Sequence, residues 1–343
     1  MADRPPTEAE IRAEIAEQVM VLAAQDGRAD IVAFALVRGA DPNAREPELD
    51  RTALMLAAQN GQLETMAVLL AAGADPDART EDGWTALIHA AARDEPEAIR
   101  LMLDAGADPE LREGVYGYTA LMIAALLTHT DAIAALLDGG TDIEAGDPEE
   151  DATPLILASS SRSRTAPLAV AELLVRGAEI DRARNDGLTP LMAAGSAGNL
   201  PVVRLLLDEG ATADLRADDG STVLGLAALE GRIDVVDLLL RRGADPNGPS
   251  TADQTPLMLA SGHGAINAAE RLIHAGANVN ATARRSGATA LMMAAERGDL
   301  PMVRLLLAAG ADRRVSSRDG LTALAIAKRR AYDDVVQELT SGL

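Results

Sequence analysis

Cysteine is absent from the chain, which excludes disulfides and thiolate metal sites. Aromatic side chains are nearly absent too: Phe34, Trp84, Tyr116, Tyr118 and Tyr332 are the whole set. Alanine, leucine, valine and methionine must therefore fill any core. Long apolar runs are missing as well. No segment approaches the roughly 18 continuous apolar residues of a membrane span. The start, MADRPPTEAEI, carries early acids and no run of signal-peptide length, so a cytoplasmic location and no membrane partner are expected. Positive charge is scarce, with Lys328 the only lysine and a formal net charge of −22. That balance argues against nucleic acid as a partner, because phosphate binding needs a basic stripe. It suits a basic protein partner or simply solubility, and the even spread of acids favours solubility. Arginine in place of lysine, with abundant alanine, points to a GC-rich bacterial gene.

What the chain has in abundance is one short pattern, best seen in TPLMAAGSAGNLPVVRLLLDEG from Thr189 to Gly210. Thr189 can cap a helix with its hydroxyl, and Pro190 fits the first helical position. Leu191, Met192, Ala193 and Ala194 make a short apolar helix that Gly198-Asn199 breaks. Val202, Val203, Leu205, Leu206 and Leu207 are spaced to bury one face of a second helix. Gly210 stops it by entering the left-handed region at no steric cost. Such a pair cannot bury its apolar face alone.

Copies surround it. The opening threonine recurs at Thr52, Thr85, Thr119, Thr153, Thr189, Thr222, Thr255, Thr289 and Thr322, at intervals of 33 to 36 residues. The stopping glycine keeps step from Gly39 to Gly310. A degenerate first unit has Gln18 in the threonine place, which brings the count to ten units. Runs such as Thr255-Pro256-Leu257-Met258-Leu259-Ala260 and Gly243-Ala244-Asp245-Pro246-Asn247 resemble the ankyrin repeat, whose signature is T-P-L-H-x-A. The resemblance covers residues 7–343 and implies an all-α solenoid of about ten helix–turn–helix units with short β-hairpin fingers. Layers stacked 8–10 Å apart give a curved rod on the order of 90 Å long. The family's histidine is replaced throughout, by Met55, Ile88, Met122 and their equivalents. Its usual hydrogen bonds between turns are then lost, so packing and backbone bonds are expected to hold the turns.

The reading is of one domain over residues 1–343, with an N-terminal capping unit at 7–40, repeats at 41–315 and a C-terminal capping unit at 316–343. Thr7 to Glu10 reads as a capping box opening a helix that runs to about Gln25. Its charged positions should face water and close that end, as Asp333, Asp334, Gln337 and Glu338 should close the other.

The family resemblance implies binding through fingers and inner helices, which form the concave face, so positions where the repeats disagree matter most. The residue before each threonine is variable, and Trp84 and Tyr118 hold it in adjacent units, where they should stack side by side. Tyr116 shares the finger of Tyr118. After the inner-helix alanines come Ala92-Arg93 in one unit and apolar Leu126-Leu127 in the next. Aromatic, aliphatic and arginine side chains together are the composition of an interface hot spot, unless the rings merely stiffen their fingers. The Thr153 unit carries three extra residues within Ser159 to Pro167, where Arg162 and Arg164 make a small basic spot or a tolerated loop insertion.

No catalytic chemistry emerges. His89, His129, His263 and His274 lack the spacing of a zinc helix, with His129 reading as structural. The serines at 159–163 have no base beside them, and Asp75-Pro76-Asp77 lacks a calcium-loop register. The expectation is a cofactor-free, non-catalytic, monomeric scaffold that binds another protein, as an inhibitor, immunity protein or stabilising partner. The alternatives are a secreted effector that binds a host protein and an enzyme with a cryptic site.

Overall fold

The computed structural model describes residues 7–248, 250 and 253–341; within this range the side chains of residues 9 and 10 are not described, so the carboxylate expected from Glu10 in the capping box lies outside the described residues. Among the described residues there are helices and turns but no strand. The fingers are turns, three of them closed by single antiparallel bridges: Arg45 to Thr52, Ser250 to Gln254 and Ser316 to Thr322.

Chain contacts divide the molecule into two compact units. Unit 1 comprises residues 1–158 and 163–179; unit 2 comprises residues 159–162 and 180–343. In unit 1 the first helices of successive pairs are α1 (Glu8–Gln25), α3 (Ala53–Gln59), α5 (Ala86–Ala91) and α7 (Ala120–Leu127). The second helices are α2 (Ala29–Val37), α4 (Leu63–Ala71), α6 (Pro96–Asp104) and α8 (Thr130–Asp138). First helices pack on first helices and second on second, which gives two layers. The next pair, α9 (Pro154–Ser160) and α10 (Ala166–Val175), is crossed by the division, and α10 packs on α8. The connection between them spans 161–165 against 198–199 in the following pair, so the three extra residues fall in the turn, as the alignment required.

Unit 2 repeats the two layers. Its first helices are α11 (Pro190–Ala197), α13 (Val223–Leu229), α15 (Pro256–His263), α17 (Ala290–Arg297) and α19 (Ala323–Arg330). Its second helices are α12 (Leu200–Asp208), α14 (Ile233–Arg241), α16 (Ile266–His274), α18 (Leu300–Ala308) and α20 (Asp333–Thr340).

The threonine caps form as expected. All nine accept a hydrogen bond from the backbone N–H three residues on, at 3.2–3.4 Å. That satisfies one donor each short helix would otherwise leave open. The stopping glycine Gly210 sits at φ 96°, and a Cβ there would meet no atom within 4 Å. Its constraint is purely one of backbone conformation.

Two expectations are corrected. The turns are not held by packing and backbone bonds alone. In several repeats the side chain at the fifth position of the Gly-Ala-Asp turn reaches forward one repeat to a backbone N–H: Asn43 to Asp75 at 2.7 Å, Asp77 to Asp108 at 2.8 Å, and Asn247 to Asn278 at 2.6 Å. These short acceptors replace the missing histidines from the other end of the turn. The second correction concerns α1. Arg12 and Glu8 face water as a pair, 2.6 Å apart, and Glu14 is exposed as expected, but apolar side chains share the exposed side. Ile11, Ile15, Val19 and Leu22 are exposed along one side, because the 3.6-residue period places them away from buried Met20 and Ala24.

Candidate partner-binding surface

Each finger returns to its helix at the residue before the threonine, which delivers Trp84 beside the first turn of α5. Trp84 N donates to Thr80 Oγ1 at 3.0 Å, and Thr80 N donates to Trp84 O at 3.0 Å. The half-buried indole rests on the His89 ring, with centroids 5.0 Å apart and planes tilted by 45°. His89 Nε2 is buried without a protein hydrogen-bond partner. Burial first, then the fields of Arg51 and Arg93, lower its pKa to about 4, so the imidazole is neutral at pH 7. Arg51 Nη1 donates to Gln59 Oε1 at 3.1 Å while its Nε pairs with the Glu46 carboxylate. Trp84, His89, Arg51, Arg93, Leu49 and Asp82 line a groove of about 350 Å³. Arg93 is exposed at its edge. The groove offers a flat aromatic wall and an open guanidinium, which suits stacking and charge-assisted hydrogen bonding.

The next finger is built around a buried carboxylate. Glu113 is 4% exposed and accepts from the backbone N–H groups of Val115 at 2.7 Å, Tyr116 at 2.7 Å and Tyr118 at 3.0 Å. This clamp lets Tyr116 stack on Tyr118, with centroids 5.5 Å apart. Tyr116 and Val115 stand exposed, while Tyr118 is half-buried. Burial, and after it the charges of Asp147, Glu150 and Glu113, push the Tyr118 phenol pKa up. The rings thus pair within single repeats. Trp84 contacts His89 rather than Tyr118, which corrects the expected ladder across fingers.

Leu126 and Leu127 end α7 and are exposed at 38% and 44%, a separate apolar step. Arg162 and Arg164 part company. Arg162 belongs to unit 2, where its Nε donates to Ala197 O at 3.0 Å and meets the negative end of α11; Arg232 does the same to Ser196 O at 2.9 Å. Arg164 is exposed and belongs to unit 1.

His129 starts α8 and places Nδ1 3.1 Å from Ala91 O of the preceding pair, a structural contact. His263 and His274 hold carbonyls of their own helices, those of Leu259 and Glu270. Asp75 and Asp77 spend carboxylate oxygens on backbone N–H groups. Among the described residues no group of three metal-ligating side chains converges, and no helix is long and apolar enough to cross a membrane.

The sequence reading missed a second groove, in unit 2. Met258, Leu259, Met292, Met293 and Ile326 line about 490 Å³, with Glu296 at the rim paired to Arg330. Its signal was methionine recurring in register at 258 and 292. The arginines at 45, 79 and 112 were likewise in register. Each donates to a carbonyl one repeat ahead, Arg79, Arg112 and Gly146, at 2.6–2.9 Å.

The family model described as "Ankyrin repeats (3 copies)" matches residues 20–113, 106–183, 164–250 and 257–342. No curated protein matches the chain.

Proposed function

The chain belongs to the ankyrin repeat family, whose repeats are generally protein–protein interaction modules, and from that premise we propose that a partner protein docks on unit 1 at the Trp84 groove and the Tyr116–Tyr118 finger. One observation carries the reading. Every large hydrophobic side chain that is exposed among the described residues lies in unit 1, including Leu49, Val115, Tyr116, Leu126 and Leu127. Apolar surface beside half-buried Trp and Tyr is the composition of an interface core, and the clamped finger presents it with little ordering left to do on binding. Leu126 and Leu127 extend the contact, and Arg93 supplies a charge-assisted bond. Arg164, on the same unit, is a secondary contact. The chain works without catalysis or cofactor, in the cytoplasm of a bacterium, as an inhibitor or immunity-type partner of another protein. Its formal charge of −22 speeds capture of a basic partner.

The test is a pull-down comparing the wild-type chain with a Trp84→Ala/Tyr118→Ala variant of unchanged helicity. A partner held by the wild type and lost by the variant supports the reading. A partner held equally by both moves the site off unit 1's fingers.

A further inference from the structure

On a chain of formal charge −22, the Trp84 groove gathers two arginines. They come from different repeats: Arg51 precedes the cap of α3, and Arg93 follows α5. Arg51 spends its Nε on the Glu46 carboxylate and an Nη1 hydrogen on Gln59 Oε1, and keeps the rest of a guanidinium's five N–H donors. Arg93 is exposed, and its guanidinium is bound to no carboxylate among the described residues. Asp82 is the single carboxylate in the described lining, and it is exposed.

His89 registers the resulting field. After burial, the charges that act on it are those of Arg51 and Arg93, and both oppose its protonation. The imidazole stays neutral while the space beside it is positive. This decides what the groove receives. A cation over the Trp84 indole would meet two guanidiniums, which offsets the attraction of the ring. A purely apolar side chain would cover Arg93 and leave its charge without a partner, which is costly. A carboxylate meets both conditions. It accepts charge-assisted bonds from the open guanidinium, and its short aliphatic stem lies against the indole. The groove's volume of about 350 Å³ is at the low end of ligand pockets, about 300–1,000 Å³, and suits a side chain better than a folded element.

We propose that the Trp84 groove receives an Asp or Glu side chain of the partner protein, held by Arg93 and Arg51. This rests on the docking of a partner on unit 1 and sharpens it: the partner, basic overall, presents one acidic side chain at the contact. Attraction to the acidic chain brings the partner in, and the carboxylate fixes its register.

Trp84 is the sole tryptophan, so its fluorescence reports on this groove alone. The probe is a blocked pentapeptide of alanine and leucine with a central glutamate, titrated into the full chain. It is compared with the same peptide carrying glutamine or lysine, and with the glutamine peptide left with a free C-terminal carboxylate. The expected result is a saturable change with the glutamate peptide, at an affinity tenfold or more above that of the blocked glutamine peptide. The lysine peptide gives none. Arg93→Gln, at an exposed position, brings the glutamate peptide down to the glutamine level with helicity unchanged. Asp82→Asn removes the opposing charge and tightens binding, and added salt weakens it. Equal affinity for glutamate and glutamine, a preference for lysine or for the free C-terminus, or no response to any peptide at millimolar concentration overturns the proposal. The pull-down separates this result from the docking itself. A partner lost by Trp84→Ala/Tyr118→Ala but retained by Arg93→Gln upholds docking on unit 1 and overturns the carboxylate anchor. A glutamate peptide that binds as expected, with no partner dependent on Trp84 and Tyr118, upholds the groove's preference and overturns the docking.

Discussion

Units 1 and 2 are built on the same plan and differ in what they show to solvent. In both, threonine caps open the first helices and side chains reach forward to the next repeat's N–H groups. Unit 1 carries every exposed large hydrophobic side chain among the described residues, while unit 2 sinks its methionines and leucines into a groove or a core. The fingers differ too. Unit 1 ties them with arginine-to-carbonyl bonds, and unit 2 with amides such as Asn280, which donates to Gly310 O at 3.0 Å. One scaffold thus carries two surfaces. The proposed interface on unit 1 rests on those exposed apolar side chains.

The sharpest contrast is between finger clamps. Glu113→Ala removes a buried carboxylate that serves three N–H groups, and should cost about 3 kcal/mol locally. Ser286→Ala in unit 2 removes one bond, from Ala288 N at 3.2 Å, and should cost about 0.5 kcal/mol. Native-state hydrogen exchange at the two fingers reads both. Equal losses would erase the distinction.

The next contrast is one of pH. The folded-state pKa of His89 lies below its free value of about 6.5, so the unfolded chain takes up the proton first as pH falls. The stability held by a neutral His89 is complete above about pH 6.5 and is lost as pH falls toward 4. That loss is about 3 kcal/mol. His89→Leu, matching Leu56, Leu157 and Leu259 at equivalent positions, should flatten this part of the curve in denaturant melts between pH 7 and 4. An unchanged slope would mean that another group titrates there.

The smallest effect separates the ladders. Arg79→Ala and Asn280→Ala each delete inter-repeat bonds at partly solvated sites, for about 1 kcal/mol apiece. Exchange should quicken only in the fingers adjoining each change; a global effect would show that the ladders couple whole units.

Most of the fold was legible in the sequence, since caps, stops and helix faces are local and periodic. Thr189 and Gly210 announce their roles through residue chemistry alone. The three-residue insertion was legible by alignment. The candidate site was legible in part: Trp84, Tyr116 and Leu126 could be named from where the repeats disagree. The geometry of Glu113 could not, because a carboxylate folding back on its own finger has no period. The Trp84–His89 contact was hidden for a related reason. It joins a finger to a helix turn, whereas repeat alignment compares only equivalent positions. The exposed apolar row of α1 was not legible because charged and apolar residues alternate along that helix, so sequence alone does not say which side faces water.

The most direct test is the affinity of the captured partner for matched variants of the two units. Trp84→Ala/Tyr118→Ala should weaken binding tenfold or more, about 1.4 kcal/mol at the least, and Met293→Ala in unit 2 should leave it within a factor of about two, a few tenths of a kcal/mol. The reverse ranking would contradict the account and place the partner on the methionine-lined groove.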